Sequence, residues 1–188
     1  MKLIFLDIDG VLNNIYSKKL LCDEPMNNLA KIVANTNAKI VMISSWAPLW
    51  IYKDKFNTNR HQEIRTLFES KLIKALSNNN IKYNIEELGF INYNKDFNQT
   101  VPTIDLLELS KESIPFEKSR QNKINNYIKA NYSNEENVNY VVIDDYEDFY
   151  DKDKHIKTSY YEQNKMLSNS DIEKATIILN ENRQLKRC

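Results

Sequence analysis

KLIFLDIDGV, residues Lys2 to Val11, is the stretch whose reading decides the fold. Leu3, Ile4, Phe5 and Leu6 are apolar without alternation, which suits a strand covered on both faces, as in a parallel sheet under helices. The run then enters Asp7 and, two positions later, Asp9 and Gly10. A charge removed from water is costly unless it is paired or bound to a cation, so two acids at the end of such a strand need an explanation. Asp9-Gly10 also reads as a hairpin turn. A hairpin, however, accounts for nothing that follows further along the chain.

Two more runs have the same character: KIVMIS, Lys39 to Ser44, and YVVIDD, Tyr140 to Asp145. Segments of helical period separate the three. Asp23 can cap a helix that has Pro25 in its first turn and Met26, Leu29, Ala30 and Val33 on one stripe. His61 to Asn79 places Ile64, Leu67, Phe68, Leu72, Ala75 and Leu76 on one face. Arg120 to Ala130 reads as a helix through Ile124, Tyr127 and Ile128. Ser170 and Glu173 have capping-box spacing before a last helix. KHIKTS, Lys154 to Ser159, can add a short strand. Strands alternating with helices predict an α/β architecture with a mostly parallel central sheet and helices on both faces.

All three apolar runs finish in polar groups: Asp7 and Asp9, Ser44 and Ser45, Asp144 and Asp145. Open α/β sheets bind ligands beyond the carboxyl ends of their strands. If the strands are parallel, these groups meet at one edge, where four carboxylates repel one another and need a cation. A hard divalent ion with oxygen ligands, Mg²⁺ being the common choice, meets that need. Hydroxyls converging with carboxylates around such an ion suggest phosphate chemistry.

With 188 residues the chain is long enough for one domain with a real core, 1–188. Lys+Arg and Asp+Glu balance at 26 each, so no global charge recruits a polyanion. Cys22 and Cys188 form no disulfide framework and no metal-binding spacing. The first apolar run is too short for a signal-peptide core, and none reaches the length of a membrane span. A cytoplasmic protein with no membrane partner is the expectation. The segment 91–119 is polar and aperiodic, and reads as an insertion or lid loop. Trp46, Trp50 and Tyr52 either pack beneath a loop or stack on a base or sugar.

DIDGV after an apolar strand, a Ser ending a second strand, a basic residue before a helix and IDDYED after a later strand together resemble the haloacid dehalogenase (HAD) superfamily. More narrowly, LDIDGVLN, ISSW, VIDDYED and TSYYEQNKMLSNSDIEKA are similar to the HAD domain of RNA-repair multidomain proteins. Ala47 departs from the Arg expected after Trp46 in the narrower family, and the last motif carries Asp-Asp in place of Gly-Asp. The resemblance implies a Rossmann-like core with a minimal cap or none. It makes Asp7 the nucleophile and Asp9 the general acid and base. Ser44, with Ser45 as the neighbouring choice, Gly10 and Trp46 would contact substrate. Arg120, Lys118 or Lys123 would supply the cation of the third motif. Asp7, the carbonyl of Asp9 and one of Asp144 or Asp145 would hold Mg²⁺, and Asp148 matches a paired spacing with Asp144. An open site of this kind implies a large phosphorylated substrate, such as an RNA or DNA end. A nucleotide or small-metabolite phosphatase, and a phosphoacceptor signalling or phosphate-binding module, are the alternatives.

Overall fold

The computed structural model describes residues 1–91, 117–146 and 151–181. Most of the 91–119 segment and Asp148 therefore lie outside the described residues. The three apolar runs form strands β1 (Lys2–Leu6), β2 (Lys39–Met42) and β4 (Asn139–Asp144). A two-residue strand β3 (Gly89–Phe90) and the short β5 (His155–Lys157) complete the sheet. Its order is β3-β2-β1-β4-β5 and every pairing is parallel, so β1 lies at the centre.

Side-chain alternation along the strands divides the core into two layers. Ile4 and Leu6, with Ile40, Met42, Val141 and Ile143, face one side. Helices α1 (Asp23–Thr36), α3 (Asn59–Asn78) and α5 (Asn169–Asn180) cover it through Leu29, Phe68, Leu72 and Leu179. Leu3, Phe5, Val41, Ile43, Tyr140 and Val142 face the other side, where α4 (Glu117–Asn131) contributes Ile124 and Ile128. Both faces being covered is the physical reason the strands read as continuous apolar runs.

Two helix caps differ from expectation. Cys22, not Asp23, is the N-cap of α1. Asp23 is in the first turn, where a carboxylate suits the helix dipole, and it pairs with Lys19 and Lys71. The last helix starts earlier than Ser170: Ser168 is its N-cap, and both its amide and its hydroxyl donate to Asp171. Buried Leu167, whose amide donates to the Val11 carbonyl at 3.1 Å, fixes that start.

Between Trp46 and Tyr52 the chain forms a four-residue helix, α2 (Pro48–Ile51). Trp50 is buried there, stacked on Phe90 at 5.7 Å and edge-on to Phe68 at 5.4 Å, with its indole N–H on Glu69. That satisfies a large amphipathic ring in full, so Trp50 packs. Between Asp9 and β2 the chain has room only for the loop 10–22 and α1. No helix among the described residues is long and apolar enough to cross a membrane.

Candidate active site

Parallel pairing aligns the strand tips. Leu6 is in register with Met42 on one side and with Ile143 on the other. The ladder continues one step further, with the Asp7 amide on the Ile143 carbonyl at 3.0 Å and the Ile43 amide on the Leu6 carbonyl at 2.8 Å. Asp7, the next residue on β1, thus emerges between the ends of β2 and β4. By alternation it shares its face with Leu3 and Phe5, the side covered by α4. Asp144, at the end of β4, shares that face with Tyr140 and Val142.

Arg120 reaches the same place from α4. It is one turn before Ile124 and two before Ile128, so it extends the stripe that packs on the sheet. Its guanidinium forms an ion pair with Asp144 and approaches Asp7 at 3.8 Å, and all three side chains are buried. Asp144 also accepts the Tyr146 amide at 3.0 Å. The Tyr146 ring lies against the guanidinium, 5.0 Å from centroid to Cζ.

Carboxylate oxygens of Asp7, Asp144 and Asp145 all lie within 4.8 Å of one another. Burial, and then the charge of Asp144, hold the Asp7 carboxyl well above the usual range despite the opposing pull of Arg120. The same causes push Asp145 up to about 6. Three acids facing one guanidinium are short of positive charge. They are hard oxygen donors on a protein edge, and they fit a divalent ion such as Mg²⁺. Both Asp144 and Asp145 belong to the cluster, where the sequence left a choice between them.

Asp9 is held differently. Trp46 donates its indole N–H to one carboxylate oxygen at 3.0 Å and Asn13 donates its amide to the other at 3.0 Å. Burial raises the Asp9 carboxyl, and these two hydrogen bonds oppose the rise. Trp46, expected at the substrate, is buried and in contact with the site through Asp9. Asn13 was not foreseen. Its side chain also donates to the Leu20 carbonyl at 3.0 Å and accepts the Gly10 amide at 3.3 Å, tying the loop after β1 together. An amide four residues beyond Asp9, next to apolar Val11 and Leu12, was the available signal.

Ser44 is fully buried at the end of β2, and its hydroxyl accepts the Trp46 amide at 3.3 Å, whereas Ser45 is exposed. Burial, and then the charge of Arg120, lower the Lys123 ammonium, one turn further along α4. The Lys118 side chain lies outside the described part of the structure. His155 places its Nε2 3.1 Å from the Asp144 carbonyl oxygen, bracing the end of β4.

Gly10 has φ of +79°, and a Cβ there would sit 2.6 Å from Cβ of Asp145. The turn after Asp9 and the position of Asp145 therefore depend on a missing side chain. Gly10→Ala should cost about 1–3 kcal/mol through strain and the clash. A divalent ion held by the acidic cluster should also bind more weakly, because Asp145 is displaced. Thermal unfolding with and without Mg²⁺ checks both. An unchanged Tm and an unchanged Mg²⁺ response would show that this contact is relaxed at no cost.

Comparison with known protein families matches residues 3–163 to the HAD domain in Swiss Army Knife RNA repair proteins. Neither the curated proteins nor the solved structures yield a match to the chain. The matched region runs from β1 past β5 and contains all of the acidic cluster, Ser44 and Arg120. The chain belongs to the family of HAD domains found in Swiss Army Knife RNA repair proteins.

Proposed function

We propose that the protein is a Mg²⁺-dependent phosphomonoesterase that works through an aspartyl-phosphate, with a nucleic-acid terminal phosphate as its preferred substrate class. One observation carries the reading: a buried Asp7 at the tip of the central strand, facing Asp144, Asp145 and Arg120, with Asp9 two residues on. Asp7, the carbonyl of Asp9, Asp144 and Asp145 would hold the metal. When bound, Mg²⁺ supplies the positive charge that lets these acids remain ionised beside a phosphoryl group.

The Asp7 carboxylate attacks phosphorus in line, forming a P–O bond as the bond to the leaving oxygen breaks. Asp9 gives that oxygen its proton. The resulting carboxylate then takes a proton from water as the water attacks phosphorus, and Asp7 is released with inorganic phosphate. Trp46 and Asn13 aim the Asp9 carboxyl for both steps. Ser44 donates to a phosphoryl oxygen, and Arg120 fixes Asp144 and offsets charge. A nucleic-acid end is favoured by the RNA-repair context of the family and by the content of the chain between Asp9 and β2, where the loop 10–22 and α1 are too little for a large cap.

The test is turnover of an aryl phosphate, of 3′- and 5′-phosphorylated oligonucleotides and of mononucleotides, with Mg²⁺ and with chelator. Turnover that needs metal and prefers an oligonucleotide is expected. Preference for mononucleotides would move the assignment to a small-molecule phosphatase. In Asp9→Asn the phosphoenzyme should form slowly and persist, detectable by mass spectrometry as an acyl phosphate on Asp7. A stable phosphate on Asp144 or Asp145 instead would favour a phosphoacceptor role and end this mechanism.

A further inference from the structure

Large exposed side chains lie on the loops that follow Asp9, Asp145 and β5. Tyr146 follows Asp145 directly and is 47 % exposed, with its ring over Arg120. Ile15 and Tyr16, on the loop after Asp9, are 49 % and 56 % exposed. Tyr161 is 73 % exposed, and its ring meets Tyr160 edge-on at 5.3 Å. Hydrogen bonds join the loop after Asp9 to the one that carries Tyr160 and Tyr161. The Ile15 amide donates to the Tyr160 carbonyl at 3.1 Å, and the Asn14 side chain donates to the Glu162 carbonyl at 3.3 Å. The phenol of Tyr160 is pushed up chiefly by burial, with the charges of Asp9 and Asp145 adding to the rise. By contrast, Met1, Ile73 and Ile177, the other exposed large apolar residues among those described, are at the chain start and on α3 and α5.

We propose that Tyr146, Tyr160 and Tyr161 form a stacking platform for the bases adjoining the phosphorylated end, so that the site takes single-stranded nucleic acid. This inference rests on the phosphatase reading above and names the element that selects its substrate. Three features favour a base over another occupant. Tyrosine rings stack on any base without reading its sequence. Tyr146 directly follows Asp145, so a base held there would stand next to its own phosphate. Lys165 is exposed on the same loop, paired with Glu162 at 2.7 Å, and Lys157 is at the end of β5, within electrostatic reach of Glu162. These cations suit the phosphodiester that follows the terminal nucleotide. Trp46 and Trp50, the aromatic residues nearest the second motif, are buried and present no free face for stacking. A duplex end keeps its terminal bases paired and offers the rings less surface.

Binding measured in the Asp7→Asn background with Mg²⁺ present keeps the substrate intact. The probes are single-stranded hexaribonucleotides carrying a 3′- or a 5′-phosphate, the same oligomers with an abasic terminal nucleotide, and a phosphoserine peptide. A based end should bind about tenfold more tightly than an abasic one, the effect of one base on one ring. Tyr161→Phe should keep that ratio and Tyr161→Ala should reduce it toward one. Tyr161 is exposed, so neither substitution threatens folding. Equal binding of based and abasic ends overturns the proposal. So does a ratio that survives in both Tyr161→Ala and Tyr160→Ala, or tighter binding of the phosphopeptide. Aryl-phosphate turnover by the wild-type protein tests the phosphatase reading by itself, so the two can fail separately.

Discussion

Asp7→Asn should reduce turnover by roughly 10⁴-fold or more, and should at the same time raise the melting temperature of the metal-free protein. On the proposed mechanism the first effect follows from removing the nucleophile, because groups that act as a unit lose nearly all of their joint contribution together. The second follows from the cluster. Asp7 is buried against Asp144 and Asp145, and its carboxyl is held well above the usual range by that burial and repulsion. Asparagine keeps the volume and can still accept the Ile8 amide, which Asp7 takes at 2.8 Å. Arg120 keeps its partner in Asp144. Each kcal/mol gained corresponds to about 2–4 °C for a chain of this size.

The pH dependence has a matching sign. Asp145 moves up to about 6 in the folded state, from about 3.9 in an unfolded chain. Folded protein then binds protons that unfolded protein does not, so this contribution to stability is complete below the unfolded value and is lost as pH rises through about 6. Asp7 and Asp9 act in the same direction, while burial of neutral His155 acts against it. Without metal, the wild-type melting temperature should therefore rise as pH is lowered from 7 toward 5. Asp7→Asn should flatten that rise, and Mg²⁺ at pH 7 should replace it. A wild-type protein with chelator that is most stable at pH 7 or above would contradict this account.

β1, β2 and β4 were legible because burial on both faces writes itself as an unbroken apolar run. β3 was not: Gly89 and Phe90 become a strand only by pairing with Val41 and Met42, and two residues carry no period. α2 is a single turn and is equally silent. Within the site, Asp7, Ser44 and Asp144 were readable because each ends a strand, and parallel register then brings them together. Arg120 could have been separated from Lys118 and Lys123, because only position 120 continues the spacing of Ile124 and Ile128. The contacts of Asn13, Tyr146 and Tyr160 depend on how three loops meet, and no local pattern encodes that. Trp46 shows the mixed case. Its place beside the second motif was evident, but its hydrogen bond to Asp9 crosses 37 residues and appears only once the sheet is assembled.

Arg120→Met should have opposite effects on stability and on metal affinity. The guanidinium is the buried cation between Asp7 and Asp144. Removing one partner of a buried ion pair leaves the other uncompensated and costs about 3–5 kcal/mol. The metal-free variant should thus unfold at clearly lower denaturant, with Arg120→Lys between it and wild type because a lysine keeps the charge without the planar fork. The same removal frees an oxygen of Asp144 and takes away a positive charge that repels a second cation. Mg²⁺ should then bind at least about tenfold more tightly, since unit charges a few ångströms apart interact by more than 1 kcal/mol at an effective dielectric near 20. Saturating Mg²⁺ would restore part of the lost stability by mass action, by about 2.7 kcal/mol at a hundredfold excess over Kd. Denaturant unfolding across a Mg²⁺ titration reads both quantities from one sample. Equal weakening of folding and of Mg²⁺ binding would mean that Arg120 builds the metal site and does not compete with the metal for the acids.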